Sequence, residues 1–268
     1  MQITPIYDPA AKQRPMRVAA FMSGSGTNII KLLEREKTLR EKNGSSPFQV
    51  IFIFTDRSDG KCRGEKIALE NGIPYFSYDI RAFHLLKAIK RTVLTPEGLA
   101  ARKEYDGVVL RLVRAFDIDI IALGGYMSYT TLEGCINVHP ADLSILTYDG
   151  KRKYVGDNAV LDAISEGEKE LRASTILTDR GVDTGPLLMV SDPVKVILPE
   201  SLEILKKDGN TFLEIVDKHQ EKLKEVGDWK IFPHTIEMIS RGRFALDSKN
   251  NVYVDGKPVS GGYRVQGT

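Results

Sequence analysis

The sequence predicts an α/β fold: a Rossmann-like, mostly parallel sheet with helices on both faces, followed by C-terminal helices and a hairpin. Three observations predict it. Apolar runs of strand length alternate with amphipathic stretches of helical spacing from Val18 to Leu123, the alternation that builds a parallel sheet with right-handed crossovers. The run Gln49 to Thr55 (QVIFIFT) is apolar almost throughout, as expected of a strand covered on both faces. A glycine-rich stretch, Ser23-Gly24-Ser25-Gly26-Thr27-Asn28, joins the first strand to the first helix.

Taken in order, Val18 to Met22 is the first strand, and Ile29 to Arg35 carries the apolar spacing of the helix after it. The loop between them aims free backbone N–H groups at the helix N-terminus, where an anion is favoured. It is neither a dinucleotide fingerprint nor a P-loop, because Ile29 stands where a third glycine belongs and no Gly-Lys-Ser/Thr follows. By itself it reads equally as a monophosphate site or as a tight structural turn. Gly64 to Asn71 is a helix ended by Gly72, and Ile73 to Tyr78 the next strand. Phe83 to Val93 and Pro96 to Phe116 are helical, with Pro96 at a first-turn position. Asp119 to Leu123 is the central strand, leading to Gly124-Gly125-Tyr126-Met127. Cys135 to His139 is a further strand that stops at Pro140. Asp142 to Lys153 is polar loop, and its basic cluster Lys151-Arg152-Lys153 is expected to be solvated. Asp157 to Ser165 is a helix, Arg172 to Thr178 a strand, and Leu187 to Val196 a strand in which Pro193 marks an edge or a bulge. Ser201 to Val226 and Trp229 to Ile239 are helical. Asp255-Gly256 between Asn251 to Val254 and Lys257 to Val259 is a hairpin signal.

With 268 residues and 42% hydrophobic composition, the chain has material for a substantial core. Its 38 basic and 36 acidic residues leave a net charge of +2, so no global bias points to nucleic acid or membrane. Two cysteines, far apart and without CxxC spacing, argue against a disulfide framework or zinc ribbon and suit a reducing, cytoplasmic setting. No signal-peptide core precedes Pro15, and the longest apolar stretch, Ile118 to Met127, is too short to span a bilayer.

The chemistry-bearing residues gather around the strand that ends at His139. Alternate side chains of a strand share a face, so Asn137 and His139 point one way with Cα atoms about 6.5–7 Å apart. Gly181-Val182-Asp183-Thr184-Gly185-Pro186 supplies a carboxylate on a glycine-flanked turn. An amide donor, an imidazole and a carboxylate together form an acyl-transfer site. A lone histidine here would read as a satisfied group at a buried strand end, and it is the combination that points to chemistry. His234 and Glu237 have one-turn helical spacing but no nearby His or Cys to complete a metal site, so no metal is expected.

In these motifs the chain resembles the folate-dependent formyltransferase family, most closely its phosphoribosylglycinamide (GAR) formyltransferases. The pieces are SGSGTN at Ser23 to Asn28, GGYM at Gly124 to Met127, INVHP at Ile136 to Pro140 and GVDTGP at Gly181 to Pro186, in family order. The resemblance implies the formyltransferase fold, with residues 1–16 an N-terminal extension, 17–245 the catalytic domain and 246–268 a C-terminal hairpin and tail. It implies transfer of a formyl group from 10-formyltetrahydrofolate to the amine of phosphoribosylglycinamide or a similar small phosphorylated amine. In that chemistry Asn137 and a protonated His139 donate to a negative oxygen, one such donor being worth about 3–4 kcal/mol. Asp183 holds His139 charged and relays a proton. Ser25, Gly26, Thr27 and Asn28 take the substrate phosphate. Arg102, Tyr126, Met127, Asp179 and Val182 take the folate. The partners implied are small molecules, with no nucleic acid or membrane, for a monomer or homodimer.

The departures from that family bear on the acceptor. After His139-Pro140 the chain runs Ala141-Asp142-Leu143-Ser144 and then Tyr148-Asp149-Gly150-Lys151 in place of the usual Pro-Gly and His pattern. Ser128 stands where the family often has an arginine, and Asp228-Trp229 where it often has Glu-His. Material is inserted near residues 84–96 and 198–226. Two alternatives therefore stand beside transfer to GAR: a formyltetrahydrofolate hydrolase releasing formate, and a catalytically silent relative that binds folate or phosphate.

Overall fold

The computed structural model describes residues 2–264. The chain divides into two compact units, one of Tyr7–Ile136 and one built from the residues up to Ile6 together with those from Asn137 onward. A short strand β1 (Ile3–Pro5) belongs to the second unit, and a four-residue helix α1 (Pro9–Lys12) opens the first.

The first unit then runs β2 (Met16–Met22), α2 (Thr27–Asn43), β3 (Phe48–Thr55), α3 (Gly64–Asn71), β4 (Tyr75–Ser77), α4 (Ile80–Leu86), α5 (Pro96–Ala115) and β5 (Ile120–Leu123). Its strands lie in the order β5-β2-β3-β4, all parallel. The apolar runs explain the burial. Ala19, Phe21, Phe52, Phe54, Ile121 and Leu123 share a core with Phe83 of α4 and with Ala101, Tyr105 and Val109 of α5. The alternate residues Val18, Ala20 and Ile53 are equally inaccessible. Both faces of this sheet are therefore covered, which is why β3 reads as one continuous hydrophobic run. Helix α5 begins as its sequence signals, with Pro96 in the first turn and the Thr95 hydroxyl accepting the Gly98 N–H at 3.1 Å.

The helix expected from Phe83 to Val93 lies earlier and is shorter, ending at Leu86. Asp79 caps α4 by accepting from the amides of Arg81 and Ala82, and Ala88 adopts a left-handed φ of 52° that stops the helix. Residues 87 and 88 form a turn instead, and residues 89–95 take no regular structure. Leu85, Leu86 and Leu94 are exposed there, so no apolar stripe holds a further turn in place.

Strand β6 (Cys135–His139) carries the chain from the first unit into the second. The second unit continues with α6 (Ala159–Ser165), β7 (Glu170–Leu171), β8 (Ser174–Leu177), β9 (Leu187–Val190) and β10 (Val194–Lys195). The helices α7 (Leu202–Leu205), α8 (Gly209–Leu223) and α9 (Trp229–Ser240) follow, then β11 (Phe244–Asp247), β12 (Val252–Val254), β13 (Lys257–Pro258) and β14 (Tyr263–Arg264). Its strands lie in the order β14-β9-β8-β6, with β14 parallel to β9 and β8 antiparallel to it. Mostly parallel pairing with packed helices is the expected fold class. The single strand expected from Leu187 to Val196 is split instead into β9 and β10, and β10 pairs with β7 in a separate two-stranded sheet.

The Ser201 to Val226 helix is broken between α7 and α8, and a π-helical turn, Lys224–Asp228, joins α8 to α9. The Asp255-Gly256 turn closes β12 on β13 with both residues at positive φ, 51° and 76°, the signature of a tight hairpin. Strand β11 lies beside β12, and β1 pairs with β11 from Ile3 opposite Asp247 to Pro5 opposite Ala245. The N-terminal extension thus supplies an edge strand next to the C-terminal hairpin. Residues 265–268 of the expected tail lie outside the described residues. Among the described residues no helix is long and apolar enough to cross a membrane.

Candidate active site

The second unit brings Asn137, His139 and Asp183 into one setting. Along β6, Val138 and His139 are buried while Asn137 is half-buried, as expected where one strand face opens at its end. The side chain of His139 is 7% exposed. Its Nδ1 lies 3.4 Å from Asp183 Oδ2, and its Nε2 lies 3.2 Å from the Tyr154 carbonyl oxygen. That carbonyl can only accept, so Nε2 carries a proton in this arrangement. Asn137 makes no side-chain hydrogen bond within the described protein, which leaves its amide available to a ligand.

Asp183 is held from several sides. Its Oδ2 accepts the Gly156 N–H at 2.9 Å. Its backbone is left-handed at φ 53°, a conformation that Asp tolerates better than most residues. The guanidinium of Arg152 donates to the carbonyls of both Asp183 and Gly185, the latter at 2.6 Å. Within the turn, Asp179 Oδ1 accepts the Gly181 N–H at 2.9 Å and the Thr184 hydroxyl at 2.6 Å. Asp179 is thus an internal brace of the turn, while Val182, 55% exposed, is its outward apolar residue.

Burial lowers the His139 pKa from its ordinary value; the Asp183 carboxylate and the Tyr154 carbonyl oppose that shift, and Arg152 adds to it. Loss of solvent is the largest of these influences and outweighs one carboxylate at 3.4 Å. The sign follows for stability. The unfolded chain binds a proton on this histidine more readily than the folded chain, so its contribution is present above the unfolded pKa and is lost as pH falls through the folded one. His139→Asn is expected to flatten the dependence of melting temperature on pH below about 6.5, and an unchanged profile would remove His139 as its source.

Arg152 was the middle of a basic cluster expected to be solvated. Lys151 is solvated, with 80% of its side chain exposed, and Lys153 pairs with Glu166 at 2.6 Å. Arg152 instead turns inward. Leu146 bridges Arg152 across a small hairpin, and Thr147 accepts from Gly150 and donates to Lys151 through its backbone. The Asp149-Gly150 dipeptide is the sequence signal for that hairpin. Arg152→Ala is expected to lower turnover more than stability, since it frees two carbonyls of the Asp183 turn. Equal turnover in the variant, measured under saturating substrate, would limit Arg152 to scaffolding.

The other site residues lie in the first unit. Gly26 precedes α2 with φ 72°, and a Cβ there would meet Met22 Cε at 2.3 Å, so only glycine fits the turn. The first intrahelical bond runs from the Ile30 N–H to the Gly26 carbonyl at 2.9 Å, which leaves the amides of Thr27, Asn28 and Ile29 ahead of the ladder. Ser25 is exposed with its hydroxyl 3.4 Å from that of Thr27, and Asn28 Oδ1 is buried without a hydrogen-bond partner.

Arg102 and Tyr126 face inward. Arg102 is 2% exposed and donates to Asp106 through Nε at 3.0 Å and Nη2 at 2.7 Å. Its Nη2 also reaches the Tyr126 hydroxyl at 3.2 Å. Tyr126 packs against Phe21 with ring centroids 5.5 Å apart. Arg102 Nη1 is buried with no partner, and Arg102 lines a cavity of ≈ 280 Å³ with Arg91, Met127, Ser128 and Tyr129 among its walls. Met127, 71% exposed, presents an apolar surface. An unspent buried guanidinium nitrogen beside exposed apolar surface suits a ligand with both an anionic group and an apolar part. Among the described residues no group of three or more His, Cys, Asp and Glu converges as metal ligands do.

Comparison with known families bears on this arrangement. The formyl transferase family model matches residues 16–212. The chain belongs to that family. It is similar to the phosphoribosylglycinamide formyltransferase of Mycobacterium tuberculosis, 26% identical over 71% of this chain and 76% of that protein. It is also similar to the trifunctional purine biosynthetic protein adenosine-3 of Drosophila melanogaster, 24% identical over 86% of this chain, which spans only 14% of that longer protein. Among solved structures, the phosphoribosylglycinamide formyltransferase of Coxiella burnetii shares the fold with a TM-score of 0.63. That pair is 21% identical, with 94% of this chain and 99% of that one covered. Membership of this family supports folate-dependent formyl transfer as the chain's chemistry.

Proposed function

We propose that the protein transfers the formyl group of 10-formyltetrahydrofolate to the amine of phosphoribosylglycinamide, or of a closely similar phosphorylated amine, with Asn137, His139 and Asp183 as its catalytic residues. The observation that carries this reading is the His139–Asp183 contact at 3.4 Å beside an uncommitted Asn137 amide on the same strand face. The relatives' names support the acceptor.

When bound, the cosubstrate supplies a formyl carbonyl whose oxygen gains negative charge as the amine adds. Asn137 donates an N–H to that oxygen, in a partly desolvated position where such a bond counts for more than in water. The growing negative charge raises the proton affinity of His139, and Asp183 beside it lowers the cost of positive charge on the buried imidazole. As the bond from the amine nitrogen to the formyl carbon forms and the bond from that carbon to N10 breaks, Asp183 relays the proton that the amine sheds to N10, directly or through water, and tetrahydrofolate leaves. Gly156 and Arg152 hold the carboxylate and its turn in place for both tasks.

The phosphate of the acceptor is assigned to the amides that precede the first intrahelical bond of α2, with Ser25, Gly26, Thr27 and Asn28. Asn28→Ala is expected to raise KM for the phosphorylated amine several-fold more than KM for the folate, and equal loss of both would defeat the assignment. Met127 is assigned to the folate's ring system, and Arg102 Nη1 to its carboxylate.

Incubation with 10-formyltetrahydrofolate, with and without phosphoribosylglycinamide, tests the reading. Loss of the formyl donor only when the amine is present supports transfer. Formate release without an amine would make the protein a hydrolase. No reaction under either condition would leave a folate-binding or phosphate-binding relative without this activity.

A further inference from the structure

Asp56 follows β3 and is 3% exposed. Nothing in its sequence setting, Thr55-Asp56-Arg57-Ser58, marks it. Its carboxylate is nevertheless the meeting point of two loops to which the proposed function gives different ligands. Oδ1 accepts the Ser23 hydroxyl at 2.7 Å. Oδ2 accepts the Ser128 hydroxyl. The Ser23 oxygen in turn accepts the Met127 N–H at 3.0 Å, and the Ser23 N–H is donated to the Gly125 carbonyl at 3.0 Å.

Ser23 opens the loop to which the acceptor's phosphate is assigned, and residues 125–128 carry Met127, assigned to the folate. The backbone of Asp56 is also fixed, since its carbonyl accepts the Ile80 N–H at 3.0 Å. A carboxylate accepts only, so it sets the direction of both hydroxyls: each must donate to it. That leaves the Ser23 lone pairs free to hold the Met127 amide. In a buried setting, bonds to a charged acceptor are stronger than neutral ones and are costly to break.

We infer that Asp56 is a positioning residue that couples the two substrate loops, so that an anion ordering residues 23–28 also orders residues 125–128 for the folate, and the reverse. The inference rests on the loop assignments of the proposed function. Coupling of this kind is reciprocal, each ligand tightening the other by the same factor.

Calorimetry measures it without turnover. Dissociation constants are taken for inorganic phosphate and for 10-formyltetrahydrofolate, each alone and each with the other saturating. The wild-type protein is expected to show mutual tightening of about fivefold or more. In Asp56→Asn, which keeps the side chain's shape but removes one acceptor, that factor is expected to fall to about one while each ligand still binds singly. Ser23→Ala should do the same, and Ser23→Thr should restore the coupling because its hydroxyl is retained. Hydrogen exchange of the segment 125–128 supplies a second reading: phosphate should protect it in the wild type and not in Asp56→Asn.

Independent binding in the wild type, including no measurable phosphate binding, overturns the inference. So does coupling that survives in Asp56→Asn or Ser23→Ala. Should Asp56→Asn fail to fold, the Ser23 pair decides alone. Coupling without formyl transfer to the amine would instead sink the acceptor assignment and leave Asp56 in its role. Transfer without coupling would do the opposite.

Discussion

Asp183→Asn is expected to lower kcat by about 10²–10³-fold, with KM for both substrates nearly unchanged and the fold intact. The carboxamide fills the same space but carries no charge. Asp183 Oδ2 accepts the Gly156 N–H at 2.9 Å and faces His139 Nδ1 at 3.4 Å, so the substitution removes the anion that offsets the cost of charging a buried imidazole. The His139 pKa, already lowered by burial, would fall further, and the proton released by the amine would lose its acceptor. Single-turnover measurements at saturating substrates isolate this step from product release. A variant with near-normal rates would exclude Asp183 from proton transfer and leave it as a brace for the turn.

Gly185→Ala is expected to act through the backbone. A Cβ at this position would lie 1.9 Å from the Leu177 carbonyl oxygen and 3.1 Å from the Asp179 N. Both are main-chain atoms, so the clash cannot be relieved by turning a side chain, and the Asp183 turn must move away from the end of β8. Overpacking of this kind costs about 1–3 kcal/mol, a fall in melting temperature of roughly 3–10 °C for a chain of this size. Turnover should fall with it, because Asp183 rides on the displaced turn. Gly107→Ala is the control: it lies within α5 with no atom near its Cβ position, where alanine is favoured by about 1 kcal/mol. An unchanged melting temperature in Gly185→Ala would show that the turn tolerates the shift and that its close approach to Leu177 is not required.

The sites of these two substitutions differ in how they are reached from the sequence. Asp183 was legible as a carboxylate between glycines in a family motif. The close approach at Gly185 was not, because it depends on where the end of β8 lies. Arg152 is a sharper case: in the sequence it is one of three adjacent basic residues, and only the hairpin from Leu146 to Arg152 turns it toward the carbonyls of Asp183 and Gly185. Arg102 shows the same limit from the other side. Its type and place suggested a ligand contact, yet most of its hydrogen bonding goes to Asp106 and Tyr126, and a single nitrogen remains unspent.

What the sequence by itself determined is whatever repeats along the chain with a period. Strands β2, β3, β5 and β6 and helices α2, α3 and α5 follow from apolar spacing and from their caps. The Asp255-Gly256 hairpin follows from a turn that only certain residues can make. The pairing of Asn137 with His139 on one face follows from the strand repeat of two. Tertiary structure alone decided the rest: the desolvation of His139, the partners of Arg152 and Arg102, the pairing of β1 with β11, and the contacts of Asp56 with two loops. Each of these depends on desolvation or on contact between residues far apart in the chain, and neither leaves a local pattern to read.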